Sequence, residues 1–419
     1  MHNHLYLLLF FFCSLSFYAQ ENSASPYSFY GLGENKFKGA QENRAMGGVA
    51  VFRDSLHLNF QNPASYSFLN RTAFTVGMNQ NRTSQATENS SGEVRRTYFD
   101  YMALGIPIGK FGASIGLMPY TSVGYKLFNV STDEQGSQRS RIFNGRGGTS
   151  RVFGAVGYQV NKNLSFGMDF GYIFGDVQTR SVEYITGVQY GTRELTNSDI
   201  SGAEINLGAM YNKKITERYT LFASATFKPE SNFNITNLST VSTVQSGGTI
   251  DLEIPVDELE TRNEKRTIKN PTRFTLGAGF GDVNKFVIGT EFTFTQNDAF
   301  GNRLLDIENT DFENGLKIGL GGYYIPKYNS FSSYWSRVVY RGGMFYEKSG
   351  IIINDEDINN YGITFGLSLP VTGSLSSLNV GCELGSRGTK NANLVKENYI
   401  NIMISLSLND KWFVKSKYY

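Results

Sequence analysis

Residues 164–175 read LSFGMDFGYIFG, with Phe166, Met168, Phe170, Tyr172 and Phe174 at alternate positions and Ser165, Gly167, Asp169 and Gly171 between them. A repeat of two is the repeat of a β-strand, whose side chains point alternately to its two faces. One face here is aromatic and the other small or polar. A soluble sheet turns its apolar face inward to a core, whereas a wall between lipid and water carries it outward and keeps a polar interior.

The same alternation recurs through the chain, in YFDYMALGIPIG from Tyr98, RVFGAVGYQV from Arg151, EINLGAMYNKK from Glu204, FVIGTEFTFTQ from Phe286 and YINIMISLSLN from Tyr399. About fourteen such segments, each of ten or more residues, follow one another without a dividing linker. Short connections at 109–110, 161–162, 215–217 and 282–284 alternate with long polar ones at 130–147, 181–201, 234–265, 299–312 and 350–357. Short turns on one side and long loops on the other predict an all-β fold, a transmembrane outer-membrane β-barrel of about 14 antiparallel strands. An even count places both termini on the short-turn, periplasmic side. Closure also removes the exposed strand edges that a run of this length would otherwise present.

Composition agrees: 45 Gly, 32 Phe and 25 Tyr against 9 Pro suit a thin wall better than an aliphatic core. The first twenty residues, MHNHLYLLLFFFCSLSFYAQ, have an apolar run from Leu5 to Phe12 and end on the small Ala19. That run is too short to span a membrane and reads as an export signal. The domain plan is therefore a signal peptide at 1–20, an N-terminal segment at 21–70 and a barrel at 71–419.

Chemistry is scarce. Of three histidines only His57 lies beyond the signal, and of two cysteines only Cys382. Neither a disulfide nor a metal cluster has the residues it needs, and a Ser–His hydrolase would have to use His57, which lies beside Leu56 and Leu58 and reads as the polar face of a packed segment. The expectation is a non-enzyme with no catalytic residues, no metal and no cofactor. A formal net charge of +2 gives no signal for nucleic acid. The acidic run at Asp355, Glu356 and Asp357 reads as a solvated turn ahead of a Ca²⁺ site.

About fifty residues precede the first strand. They hold NRAMGGVAV at 43–51 and LNFQNPAS at 58–65. Gly47 and Gly48 permit positive φ or close backbone approach, and Asn62–Pro63 is a turn-and-stop signal. Phe29, Tyr30, Met46, Phe52 and Phe60 are apolar anchors. A wide barrel needs its interior filled, and a luminal plug is the expected role of this segment; a periplasmic cap is the alternative.

Arg44, Ala45, Met46, Gly47 and Gly48, followed by Asn62, Pro63 and Ala64, resemble the opening of the FadL/TodX-like outer-membrane protein superfamily, and PorV-like barrels of Bacteroidetes are similar. The resemblance implies that the N-terminal segment is a hatch in the lumen and that hydrophobic substrate leaves sideways at a kink in the third strand. In this chain the third strand reads FGASIGLMPYTSVGYKLF, which puts Pro119, with Gly116 and Tyr120, where a lateral opening would be. A proline cannot donate to the ladder, so it marks a bulge, a gap or a distortion.

Two functions remain. One is passive passage of hydrophobic small molecules, long-chain fatty acid-like or aromatic, across the outer membrane. The other is a non-transporting barrel that is a subunit of a secretion or barrel-assembly complex. The partners expected are outer-membrane lipid, a hydrophobic ligand for the first function and other proteins for the second. The loops, such as GVQYGTRELTNSD at 187–199, are polar and lack the apolar stretches of a capture surface.

Overall fold

The computed structural model describes residues 23–132, 136–246, 253–297, 301–304, 309–371 and 374–412. The expected signal at 1–20 lies outside them. Fourteen barrel strands run in order: β1 Thr72–Ala86, β2 Ser91–Ile108, β3 Phe111–Thr132, β4 Gln138–Gln159, β5 Leu164–Ile185, β6 Gly191–Lys214 and β7, which comprises Thr220–Lys228 and Ser231–Ser246. They continue with β8, which comprises Glu253–Asn270 and Thr272–Asp282, then β9 Phe286–Gln296, β10 Gly315–Tyr324, β11 Val339–Ile353, β12 Glu356–Pro370, β13 Ser377–Arg387 and β14 Lys396–Asp410. Each pairs antiparallel with its sequence neighbours, and β14 closes on β1 in an unbroken ladder from Lys396↔Ala86 to Asp410↔Thr72. The two interrupted strands break beside Pro229 and at Pro271, which lack the N–H a ladder requires.

The alternation in 164–175 has the predicted sense. Phe166 and Phe170 on β5 are 50% and 52% exposed on the outer face, whereas Ser165 and Asp169 are 0% and 1% exposed on the inner one. Outward aromatic and aliphatic side chains form a band that suits hydrocarbon, and the polar interior is the lumen. This is an outer-membrane barrel.

Three of the long connections are not loops. The stretches 130–147, 181–201 and 234–265 are mostly strand, since β3, β4 and β5 are 22 residues long and β6 is 24, and the outer parts of β7 and β8 add 16 and 18. A membrane crossing needs about 9–11, so these strands project beyond the lipid. There, both faces meet water and apolar alternation disappears from the sequence, while hairpin pairing continues. The charged stretch at 253–266 is accordingly part of β8. The acidic run holds a tight hairpin turn, with Asn354 and Asp355 at φ 51° and 64°.

Residues 23–69 are mostly buried and pack against inward-facing residues of the wall. Leu58, Phe60, Tyr66 and Leu69 pack against Tyr101, Met118 and Phe153, and Met46, Val49, Val51 and Phe52 against Phe222 and Val287. The segment has little regular structure: a 3-10 turn at Pro26–Phe29, a helical turn at Gln41–Arg44 and a 3-10 helix at Pro63–Phe68. Asn62 begins that last helix where the sequence suggested a stop. Its side-chain oxygen accepts from Ala64 N at 3.1 Å with Pro63 at the first helical position, an arrangement favoured at helix starts.

Gly47 shows how closely segment and wall approach. Its φ is +68°, and a Cβ there would stand 2.5 Å from Met344 O and 2.9 Å from Leu320 O, both backbone atoms of the wall. Gly47→Ala is expected to strain this seat by about 1–3 kcal/mol. Hydrogen exchange should then rise across residues 41–52 while the barrel strands stay protected. Unchanged exchange in the segment would show that the close approach is not a constraint.

Candidate functional site: the segment–wall interface and the β2–β3 gap

The predicted motif residues meet two separate parts of the wall, residues 44–48 on β10 to β13 and residues 62–64 on β5 to β7. Arg44 forms a two-point ion pair with Glu383 on β13, Nε–Oε2 at 2.7 Å and Nη2–Oε1 at 3.2 Å, with Asp100 at 3.7 Å from its Nη1. Asp100 is buried at a register shift in β2, where Gly77 pairs Tyr101 and Met78 pairs Phe99. Ala45 and Ala64 are buried, and Gly47 N donates to Thr364 Oγ1 at 2.9 Å. Asn62 Nδ2 donates to Ala209 O at 3.1 Å on β6. Phe52 meets Phe222 edge-on with ring centroids 5.6 Å apart, and Phe60 meets Tyr101 and Phe153 at 5.1 and 5.6 Å. Phe29 packs against Tyr125 at 5.2 Å and Tyr30 against Phe29 at 5.1 Å.

Sequence reading missed the other polar ties. Arg387 pairs with Glu397 at 2.6 Å and with Glu34 of the segment at 2.9 Å. Burial raises the Glu34 carboxyl, but Lys36 and Arg387 outweigh it and hold the group well below the usual carboxylate range. Glu291 accepts from Ala50 N at 2.8 Å, and Glu42 from Asn379 Nδ2 at 2.8 Å. His57 is bonded to Asp54 at 2.8 Å and to Ser377 at 3.2 Å. Burial draws the imidazole down, and the Asp54 carboxylate more than restores it, leaving His57 above its ordinary value. The signal for these ties was in the sequence: Glu291, Glu383 and Glu397 all sit at inward positions of alternating strands.

The wall is interrupted next to Pro119. The ladder between β2 and β3 holds from Ile108↔Phe111 to Met102↔Leu117 and ends there. The upper parts of the two strands do not pair with each other. On its other side, β3 pairs with β4 to the top, with a register shift between Pro119 and Thr121 that leaves Tyr120 as the bulged residue. Met118 to Tyr125 are buried at every position, unlike the alternating strands elsewhere. Gly116 lies just below, in contact range of Phe153 and Ala103.

The segment takes over the open edge of β3. Glu34 and Asn35 form a short strand paired to Ser122 and Thr121, Lys36 N donates to Tyr120 O at 3.1 Å, and Gly124 N donates to Ser28 Oγ at 3.1 Å. Between segment and wall is a cavity of about 360 Å³, bordered by Lys38, Tyr120, Glu204, Lys228, Arg273 and Glu291. Leu32, Phe37, Phe60, Leu316 and Phe345 also border it, so charged and apolar groups share the lining, whereas hydrophobic ligands favour mostly apolar pockets.

Among the described residues no group of three or more His, Cys, Asp or Glu is placed to hold a metal ion. The architecture is that of outer-membrane hydrocarbon channels. The toluene transporter TbuX of Ralstonia pickettii superposes with a TM-score of 0.60 at 14% identity, covering 89% of this chain and 99% of that one. The toluene transporter TodX of Pseudomonas putida gives 0.59 at 14% identity over 90% and 98%. The monoaromatic hydrocarbon channel CymD gives 0.58 at 13% over 90% and 99%. At such identities the likeness is one of fold. No curated protein matches the sequence. The BamG family model matches residues 1–419, and the chain belongs to the BamG family. These fold relatives are channels and transporters.

Removing one partner of a buried ion pair leaves an uncompensated charge, at about 3–5 kcal/mol. Arg44→Met should therefore destabilise the protein by that order, and Arg44→Met with Glu383→Met should recover much of the loss. Thermal or denaturant unfolding of the single and double variants measures this; equal, additive losses would mean the two groups do not act as a pair.

Proposed function

We propose that this BamG-family barrel is a plugged, non-conducting subunit of an outer-membrane protein machine of the secretion or barrel-assembly kind. In this reading residues 1–20 are removed on export, 21–70 are the plug, 71–419 are the wall, and both termini face the periplasm. Arg44, Ala45, Met46, Gly47 and Gly48 seat the plug on β10 to β13, Asn62, Pro63 and Ala64 seat it on β5 to β7, and Phe52 and Phe60 anchor it.

The observation that carries this reading is that the segment packs on the inner wall and pairs with the free edge of β3. It is tied to the wall by buried ion pairs, its own backbone occupies the free edge of β3, and Lys38, Glu204, Lys228 and Arg273 stand at the space left beside it. A hydrophobic solute gains about 25 cal/mol for each Å² of apolar surface removed from water, and it would gain little against Lys38, Glu204, Lys228 and Arg273. Membership of the BamG family, distant in sequence from the hydrocarbon channels, also supports it.

A second reading, passive passage of hydrophobic small molecules of the fatty acid-like or aromatic kind, is favoured by one observation. The β2–β3 ladder ends beside Gly116, Pro119 and Tyr120, in a fold shared with toluene and monoaromatic channels. Substrate would then leave between β2 and β3 when the strand at Glu34–Asn35 lets go.

The two readings separate on a tether. Asn35 and Thr121 are paired in register, so Asn35→Cys with Thr121→Cys can form a disulfide across the gap. As a machine subunit, the tagged protein should co-purify with stoichiometric outer-membrane proteins in mild detergent, with or without the tether. A barrel that purifies alone, and whose uptake of a hydrophobic tracer into proteoliposomes stops on oxidation and returns on reduction, would replace this reading with passage.

A further inference from the structure

Around Tyr120 the lumen holds more cations than carboxylates can neutralise. Arg151 is held by Asp169 and by Glu204, its Nε 2.8 Å from Glu204 Oε1. Glu204 Oε2 accepts from Tyr120 Oη at 2.9 Å, from Asn270 Nδ2 at 3.3 Å and from Lys228 Nζ. Both carboxylates are thus engaged. Lys228 also reaches Tyr120 Oη at 3.0 Å.

Two further cations remain. Lys38 comes from the N-terminal segment, and its Nζ lies 3.4 Å from the centroid of the Tyr120 ring, with Lys228 Nζ 5.4 Å from the same ring. Among the described residues no carboxylate is within ion-pair distance of Lys38. Arg273 stands directly beside Lys228 across the β7–β8 ladder, and its buried Nε has no hydrogen-bond partner among protein groups. Lys38, Lys228 and Arg273 all line the 360 Å³ cavity. Burial, then repulsion from Lys228 and Arg273, pulls the Lys38 ammonium well below the ordinary lysine range.

We propose that this corner of the lumen is a phosphate-binding site, in which a phosphate dianion or phosphomonoester bridges Lys38 of the segment to Lys228 and Arg273 of the wall. The arrangement suits phosphate better than a single carboxylate because two charges lack a protein counter-charge. A guanidinium fork beside two ammonium groups also matches a tetrahedral oxyanion. Ser224, Thr226, Asn270 and Thr275, in the same lining, add polar groups beside these cations. Bound phosphate fastens the segment to β7 and β8. The site stands whether or not the barrel belongs to a larger machine.

The test uses the full-length protein in a non-ionic micelle. Inorganic phosphate should raise the Tm, with acetate and chloride at equal ionic strength leaving it unchanged, since a ligand that binds only the folded form stabilises it. Lys38→Gln and Arg273→Gln should each weaken the apparent affinity for phosphate at least about tenfold. Lys38→Arg should retain it, as should Lys285→Gln in the exposed β8–β9 turn. Phosphorus analysis of the purified protein separates the sources: organic-extractable phosphorus marks a lipid headgroup, and water-soluble phosphorus marks free phosphate or a soluble monoester. Either source, lost in Lys38→Gln and Arg273→Gln, supports the site. The absence of both a phosphate-specific shift and bound phosphorus overturns it, as does undiminished affinity in both glutamine variants.

Discussion

Fourteen strands enclose more space than their inward side chains can fill, and the inner face here is largely small. Gly167, Gly208, Gly319, Gly321 and Gly343 all face residues of the N-terminal segment at distances no Cβ would tolerate. The wall is built around that segment. Because the glycines remove side chains from the lumen, the segment's backbone lies directly on the sheet, and Phe52, Phe60, Tyr66 and Met46 supply the packing that a soluble domain would find in its own core.

The same dependence explains the break between β2 and β3. An unpaired strand edge inside a membrane leaves N–H and C=O groups without water to satisfy them, at several kcal/mol each. Glu34, Asn35, Lys36 and Ser28 supply partners to the edge of β3, so the interruption and the segment form one device. Tyr120, turned inward by the register shift beside Pro119, carries the consequence into the lumen: its hydroxyl joins Glu204 and Lys228, and its ring receives Lys38. The lipid-facing wall, the gap and the charged cavity thus meet at one residue.

Much of the barrel was legible because its physics is periodic. The alternation in β5 states which face meets lipid, and short turns at Gly109–Lys110 and near Asn161 state where strands reverse. The outer halves of β3 to β8 were read as loops because water on both faces erases the alternation, although pairing persists. Gly47 takes the positive φ that its residue type permits, whereas Asn62, read as a stop, starts a 3-10 helix. What could not be read was pairing across long separations. Arg44 and Glu383 are 339 residues apart, and nothing local tells Arg44 which of the inward carboxylates it will meet. Lys38 likewise looks like an ordinary polar residue until β3, β6, β7 and β8 are brought around it.

The central claim is that the segment closes the barrel, and electrical conductance of the full-length protein in a planar lipid bilayer tests it most directly. An open barrel of this width would pass ions in discrete, long-lived steps. The account predicts a baseline current without such steps, and their appearance once Arg44→Met and Gly47→Ala together loosen the segment. Stable open steps from the unmodified protein would contradict it.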